Sequence, residues 1–183
     1  MKLFVISDTH GKLDKVYEIY KRLTSIDLII HLGDVIKDAE EIEKTLGVDV
    51  LSVKGNMDGS YSSTDHHILE TECGKLYLSH GHMENVKSNY QNMYYRAMEA
   101  GCVGALFGHT HIPVFDQVNG IHLINPGSLS LPADGTQGSY AIVHTASEGL
   151  SGSIVYYSTI RQNKPPKVQG GYLRGLLNYS DRF

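Results

Sequence analysis

Short runs of mostly apolar residues divide the first half of the chain into predicted strands. They lie at residues 3–6, 27–32 and 49–53. Leu13, Val16 and Ile19 recur at helical spacing after the first run, which predicts an amphipathic helix over residues 12–24. A second, shorter helix is predicted to end at Gly47. The opening pattern is therefore β-α-β-α-β, and its second strand is apolar on both faces, as is typical of a strand covered on both sides.

The second half of the chain is dominated by predicted strands and turns. Hairpin turns are predicted at residues 72–75, at Asn119-Gly120 and around Glu148-Gly149. A helix is predicted over residues 88–100. Its side chains available for packing are Tyr94, Tyr95, Ala97 and Met98. An α/β first half and a mostly β second half together predict an α/β fold with two packed mixed β-sheets flanked by helices.

A domain boundary is predicted near residue 163. Residues 1–163 are enough for a single domain with a sizeable core, and the chain is too short for two ordinary domains. Pro165-Pro166 then disfavours helix, so residues 164–183 are predicted to form a C-terminal tail. The tail is expected to dock on its own domain or on a partner subunit. Its apolar helical face would consist of Tyr172, Leu173, Leu176 and Leu177.

Composition and charge exclude several classes of protein. A net charge of −4, with no cluster of Lys and Arg, disfavours long nucleic acid as a partner. The apolar run at residues 3–6 is too short for a secretory signal or a membrane span, so a cytoplasmic location and no membrane partner are expected. Cys73 and Cys102 form no CxxC pair and are expected to be free thiols.

Side chains that can bind a metal follow five of the predicted strands. Ligand sites in open α/β sheets lie beyond the carboxyl ends of strands, so these side chains are expected to converge. Two aspartates, one asparagine and four histidines are too many for one tetrahedral metal but suit two metals that share a carboxylate. The pattern therefore predicts a dinuclear metal centre. Its candidate ligands are Asp8, His10, Asp34, Asn56, His80, His109 and His111.

Taken singly, several of these residues have structural explanations. Asp8 and Asp34 could cap the helices that follow them, and Asn56 could be a turn residue. The ordered recurrence of all seven ligands favours metal binding over seven separate explanations. His31 lies inside the second predicted strand, where a hydrogen-bonded core histidine is expected instead of a catalytic one.

The ordered motifs Asp-x-His, Gly-Asp, Gly-Asn, His and Gly-His-x-His resemble those of the calcineurin-like metallophosphoesterase superfamily. The matches run from Asp8 to His111, and residues 125–128 (Asn-Pro-Gly-Ser) extend the likeness. Within the superfamily the short chain, with no lid domain, is most similar to the YfcE-type phosphodiesterases. The resemblance implies an αββα sandwich and a metal-dependent hydrolase that cleaves small phosphodiesters.

The resemblance also implies how two divalent ions would share the ligands. The first ion would be held by Asp8, His10 and His111, the second by Asn56, His80 and His109, and Asp34 would bridge them. The implied catalytic residues are Asp34, Asn56, His80 and His109. A hydroxide bridging the ions would be the nucleophile. Manganese is the expected metal, and Fe, Zn and Ni are compatible with nitrogen and oxygen ligands.

The chain departs from the superfamily pattern directly after Asn56. Many members have a histidine there that can protonate the leaving oxygen, whereas Met57 has no transferable proton. A general acid is typically worth about 10²–10⁴-fold in rate, so a preference for good leaving groups is predicted. His82 is expected to orient a ligand or contact substrate. Asp58 is expected either to orient a water or a histidine, or to serve packing.

A second hypothesis is a non-catalytic scaffold of the same fold, resembling the retromer scaffold subunit. Loss of ligating histidines or of the asparagine would favour a scaffold, but all seven candidate ligands are present here. A metallo-β-lactamase-like hydrolase is disfavoured because its His-x-His-x-Asp-His motif is missing. The sequence therefore favours the phosphoesterase over both alternatives.

The predicted tail gives a test of self-association. If residues 164–183 dock on a second subunit, the full chain will form dimers, which are the commonest oligomers, and a chain ending at Pro166 will be monomeric. Light scattering of both proteins across micromolar concentrations measures the difference. If both proteins are monomers, the tail is not an oligomerisation element.

Overall fold

The computed structural model describes residues 1–59 and 64–158, and these ranges contain ten strands. The strands are β1 Lys2–Ile6, β2 Leu28–His31, β3 Val50–Ser52, β4 His66–Thr71, β5 Gly74–Ser79, β6 Cys102–Leu106, β7 Val114–Val118, β8 Ile121–Asn125, β9 Ser139–Ala146 and β10 Gly149–Tyr156. The helices are α1 Asp14–Tyr20, α2 Ile36–Leu46 and α3 Gln91–Glu99. The first sheet has the order β10-β9-β1-β2-β3, and the second has the order β4-β5-β6-β8-β7.

The two sheets pack face to face because their strands present apolar side chains on both faces. On β1, Leu3 and Val5 belong to a cluster shared with Leu78 and Leu106 of the second sheet. The alternate β1 residue Phe4 points the other way, into the cluster that contains α1 and α2. Helix α3 packs on the outer face of the second sheet. The order of layers is helices, sheet, sheet, helix, so the predicted fold class is confirmed.

Parallel strands bring the predicted ligands to one edge. β1, β2 and β3 run parallel with Ile6, His31 and Ser52 in register, so the loops after them start at the same edge of the first sheet. β5, β6 and β8 run parallel in the second sheet. The amide of Gly108 donates to the carbonyl of His80, which ties the loops after β6 and β5 together at 3.0 Å. The candidate site therefore lies where the carboxyl ends of the parallel strands of both sheets meet.

Several local predictions differ from the structure. Helix α1 covers Asp14–Tyr20, shorter than the predicted 12–24, because the chain beyond Tyr20 turns through short-range bonds such as Leu23 N–H to Tyr20 C=O. Helix α3 buries Met93 and Ala97. The predicted packing of Tyr95 and Met98 is wrong, since they are 43% and 48% exposed.

The turn and tail predictions fare differently. Asn119 and Gly120 both have positive φ and join β7 to β8, which confirms that hairpin. The last hairpin turns at residues 147–148, one residue earlier than predicted. The predicted tail, residues 164–183, lies outside the described residues. Among the residues described, no helix is long and apolar enough to cross a membrane.

Candidate metal centre

The loops that carry the predicted ligands have an unusual backbone conformation. Five of the seven residues have positive φ: Asp8 (54°), His10 (48°), Asp34 (89°), His109 (67°) and His111 (58°). Left-handed conformations cost a non-glycine residue about 1–3 kcal/mol each, so surrounding contacts must hold them in place. Such strain clusters at functional sites because it aims side chains at a common point.

Imidazole nitrogens and carboxylate oxygens converge in the space between these loops. His10 Nδ1 lies 3.0 Å from Asp34 Oδ2, and His111 Nε2 lies 3.2 Å from Asp8 Oδ1. His80 Nε2 is 3.9 Å from Asp8 Oδ1 and 3.8 Å from Asp34 Oδ1. Within the part of the chain that the structure describes, possible ligand atoms within 4.8 Å of one another form two triads, which are Asp8, His10, His111 and Asp8, Asp34, His80.

The remaining two predicted ligands lie against His80. Asn56 Oδ1 is 3.1 Å from His80 Nε2, and the ring of His109 is centred 5.0 Å from that of His80. The structure therefore brings all seven predicted residues into one cluster. Asp34 faces His10 through one oxygen and His80 through the other, so its carboxylate lies between the two predicted ligand sets.

Two buried oxygens indicate what the cluster can accommodate. Asp8 Oδ1 and Asp34 Oδ1 are buried and have no partner of hydrogen-bond geometry within the described residues. A buried carboxylate oxygen is costly unless a cation or a donor compensates it. Burial alone would raise the pKa of Asp8, but the neighbouring His111, His80 and Ser7 bring it below its usual value, so the carboxylate is ionised at neutral pH. The donor set therefore fits divalent cations with nitrogen and oxygen ligands.

Backbone carbonyls orient two of the histidines. His80 Nδ1 donates to the carbonyl of Leu32 and His111 Nδ1 donates to the carbonyl of Leu131, each at 2.7 Å. The Nε2 atoms are then left to face the carboxylates, as is usual for histidines that bind a metal. Burial, followed by the neighbouring His80, lowers the pKa of His109 to about 4, so its imidazole is neutral at pH 7.

Hydrogen bonds from neighbouring residues hold Asp8 in place where the two sheets meet. Its Oδ2 accepts from the Ser7 hydroxyl at 2.6 Å and from the His109 amide at 2.9 Å. Its backbone carbonyl accepts from the hydroxyls of Ser128 and Ser130. A Cβ on Gly108 would lie 1.9 Å from Ser7 Oγ and 2.7 Å from Asp8 Oδ2, so only glycine allows this approach.

A buried chain of hydrogen bonds joins the loops after β1 and β2 to helix α2. The Gly33 amide donates to His31 Nδ1 at 3.2 Å, so the proton of the neutral ring is on Nε2, which donates to Thr9 Oγ1 at 2.8 Å. Thr9 Oγ1 then donates to Asp38 Oδ2 at 2.6 Å, and the Gly11 amide donates to the same oxygen at 2.7 Å. Burial lowers the pKa of His31 to about 4, which keeps it neutral. His31 is thus a hydrogen-bonded core residue, as predicted.

The other two predicted site residues differ in role. Asp58 Oδ1 accepts from the Ile36 amide at 2.7 Å and Oδ2 accepts from the Gly55 amide at 2.8 Å. Asp58 therefore caps α2 and holds the loop that contains Asn56. Of the two roles expected for Asp58, this is the structural one. The ring of His82 is centred 5.4 Å from that of His80, and its buried Nδ1 has no hydrogen-bond partner among the described residues.

Several supporting residues were not predicted from the sequence. Asn125 donates from Nδ2 to the Gly108 carbonyl at 2.8 Å and accepts at Oδ1 from the Gly127 amide at 2.8 Å. The residues with such supporting roles are Ser7, Thr9, Asp38, Asn125, Ser128 and Ser130. Asn125 and Ser128 belong to the Asn-Pro-Gly-Ser motif, which was the one available signal. No sequence pattern indicated the roles of Thr9 and Asp38, because they form their hydrogen bonds with residues that are distant in sequence.

Comparison with known proteins places this site in a family. The family model described as the calcineurin-like phosphoesterase superfamily domain matches residues 1–148. A probable metallophosphoesterase, YsnB of Bacillus subtilis, is 37% identical over 144 residues, covering 78% of this chain and 83% of the relative. The phosphodiesterase YfcE of Escherichia coli is 31% identical over 172 residues, covering 78% of this chain and 87% of the relative.

Solved structures show the same likeness. A predicted phosphoesterase from Streptococcus pneumoniae superposes with a TM-score of 0.73 at 27% identity, covering 93% of each chain. Vps29 of Entamoeba histolytica, crystallised with zinc, superposes with a TM-score of 0.70 at 20% identity, covering 86% of this chain and 99% of that one. The second likeness shows a shared fold.

The buried chain through Thr9 gives a test of what holds the site. Thr9→Val removes the hydroxyl but keeps the shape, which leaves His31 Nε2–H without an acceptor and removes one donor to Asp38. We expect the free energy of unfolding in urea to fall by about 1–3 kcal/mol. Thr9→Ser keeps the hydroxyl and is the control. A valine variant at least as stable as the serine variant would contradict the role of this hydrogen bond.

Proposed function

The chain belongs to the calcineurin-like phosphoesterase superfamily, and from that premise we propose that it is a phosphodiesterase with a dinuclear metal centre that acts on small esters. The family is one of metal-dependent hydrolases of phosphate esters. The observation that carries the finer proposal is the position of Asp34, whose two oxygens face His10 and His80. One carboxylate placed between two sets of ligands is what a pair of ions requires.

The proposed ligand sets follow the geometry of the cluster. Asp8, His10 and His111 would hold one ion, and Asn56, His80 and His109 would hold the other, with Asp34 shared. Two divalent ions carry four positive charges, and two aspartates neutralise half of them, which leaves a site suited to an anionic phosphate ester. When bound, the ions would activate a water molecule as nucleophile and neutralise charge on the phosphoryl group. Manganese is proposed first, with Fe, Zn or Ni as alternatives.

The exposure of the ligands supports access for a small substrate. Asp8, Asp34 and His80 are buried, His10, His109 and His111 are half-buried, and Asn56 is exposed. The cluster is therefore closed on the side of the sheets and reached from the side of Asn56. In this arrangement the protein groups bind and orient the phosphoryl group at the exposed side, and the sheets exclude water from the other.

Met57 sets the proposed preference for leaving groups. It follows Asn56 and is 67% exposed, and its thioether has no proton to transfer. Departure of a phenolate needs little protonation, whereas an alkoxide needs a general acid. We therefore place activated phosphodiesters ahead of alkyl monoesters as substrates.

The scaffold hypothesis has weaker support. The likeness to Vps29 concerns the fold at 20% identity. Seven candidate ligands converge in this chain, and five of them are held in left-handed conformations. The cluster therefore favours the phosphodiesterase.

Removal of the proposed bridge tests the dinuclear centre. Asp34→Asn removes one charge from between the two ligand sets, so we expect about a hundredfold loss of turnover of bis(4-nitrophenyl) phosphate and fewer than two metal ions per chain. Metal content is measured on the same preparations. Asp49→Asn, an exposed aspartate at the opposite end of the first sheet, is the matched control. Near-normal turnover with two ions bound would refute the bridging role.

The leaving-group preference is tested by a series of aryl phosphodiesters. Without a general acid, the logarithm of the rate should fall steeply as the pKa of the leaving phenol rises. Met57→His should raise the rate of poor leaving groups selectively, because it supplies a proton donor at that position. A flat plot for the native chain, or an equal effect of Met57→His on every ester, would contradict the explanation.

A further inference from the structure

Exposed apolar side chains are concentrated around the candidate metal centre. Within residues 1–59 and 64–158, seven large apolar side chains are at least 40% exposed. Four of the seven lie in the loops that carry or support the candidate ligands, and we call them the apolar rim: Met57, Met83, Ile112 and Leu131. The other three, Ile68, Tyr95 and Met98, lie on strand β4 and helix α3.

Each residue of the rim is adjacent in sequence, or hydrogen-bonded through its backbone, to a candidate ligand or to His82, whose ring lies beside that of His80. Met57 follows Asn56, Met83 follows His82, and Ile112 follows His111. The backbone carbonyl of Leu131 accepts the hydrogen bond from His111 Nδ1. Consecutive Cα atoms are about 3.8 Å apart, so these side chains begin within one residue of the proposed ligands or their neighbours. Four separate loops thus present apolar side chains beside the same centre.

Scattered exposed apolar residues are normal on protein surfaces, but a concentration of them marks a binding surface. The rim residues are exposed and lie in the loops whose other exposed or half-buried residues include Asn56, His109 and His111. A phosphoryl group bound there would direct its ester substituents outward past these side chains. The group that contacts the rim would then be an ester substituent of the bound phosphate.

We propose that three residues of the apolar rim, Met83, Ile112 and Leu131, bind the ester group that the substrate retains, with Met57 on the side of the leaving group, so that the chain prefers soluble phosphodiesters in which the retained group is apolar. The inference rests on the proposed function and adds the class of substrate to it. Met57, Met83, Ile112 and Leu131 carry no charge and, apart from weakly accepting thioethers, no polar side-chain atom that would recognise a sugar or a nucleoside. The flexible side chain of Met83 suits apolar groups of varied shape.

The first test varies the retained group while the leaving group stays the same. Methyl, butyl and hexyl 4-nitrophenyl phosphates release the same phenolate, so differences in KM report the alkyl chain. A fully buried methylene is worth about fourfold in affinity, and partial burial at an exposed rim reduces this. We expect KM for the hexyl ester to be about tenfold or more below that for the methyl ester, with similar kcat.

Variants of the rim identify the residues responsible. Met83→Gln introduces a polar side chain of similar size. In this variant the ratio of KM between the methyl and hexyl esters should fall below about three. Met98→Gln is the matched control, because Met98 is also an exposed methionine but lies at the end of α3, beside the start of β6 and far from the ligand loops. It should keep the native ratio.

A binding measurement removes the dependence on turnover. The chain has five methionines, so ¹³C-methyl labelling gives few signals to assign. Titration of zinc-loaded protein with methyl hexyl phosphate, which lacks the nitrophenolate, should shift the methyl signal of Met83. The signals of buried Met93 and exposed Met98 should stay in place.

The outcomes separate the two proposals. If no 4-nitrophenyl diester is hydrolysed by the metal-loaded native chain, the proposed function fails and the rim proposal fails with it. If all are hydrolysed with the same KM, or if Met83→Gln and Met98→Gln change the ratio equally, the function stands and the rim proposal is overturned. A Met83 signal that does not move with the hexyl ester also overturns the rim proposal, and leaves the function intact.

Discussion

Two buried carboxylates, those of Asp8 and Asp34, determine how this end of the molecule is built. Together with His80 they place ligand atoms within 4.8 Å of one another, and each carboxylate has one buried oxygen without a hydrogen-bonded partner in the described ranges. Like charges this close in a protein interior repel strongly unless positive charge compensates them. The proposed ions would supply that compensation, and neutral imidazoles, which make up four of the seven candidate ligands, would complete the coordination without adding negative charge.

The rest of the architecture holds these groups against their own repulsion and strain. Parallel strands bring the loops to one edge, and hydrogen bonds from Ser7, Ser128 and Ser130 fix Asp8. The buried chain from Gly33 through His31 and Thr9 to Asp38 connects the loops to α2 without adding a net positive charge. Five of the candidate ligands have positive φ, which adds conformational strain energy. The packing of the two sheets beneath them supplies the stability that offsets this strain.

Function follows from which side of the cluster is left open. The sheets close the side of Asp8 and His80, so a substrate must approach from the side of Asn56 and the half-buried histidines. On that side Met57 occupies the position where many members of the superfamily have a histidine that can protonate the leaving oxygen. A site with strong electrostatic attraction for phosphate and weak means of protonating a leaving group suits activated diesters. The proposed selectivity therefore depends on the side chains around the proposed metal site.

The sequence by itself predicted the succession of strands and helices along the chain and a set of seven candidate ligands, because residues that follow parallel strands meet at one edge of a sheet. It did not identify Thr9 or Asp38, since an aspartate in the first turn of a helix and a threonine in a loop are ordinary residues there. It also misplaced the packing of Tyr95 and Met98, because helical periodicity alone does not say which face meets the sheet. Only the tertiary structure decided these points and which carboxylates lie against His10, His80 and His111. The reason is that such contacts join residues as far apart as His109 and Asp8, 101 positions along the chain, and local pattern carries no information at that range.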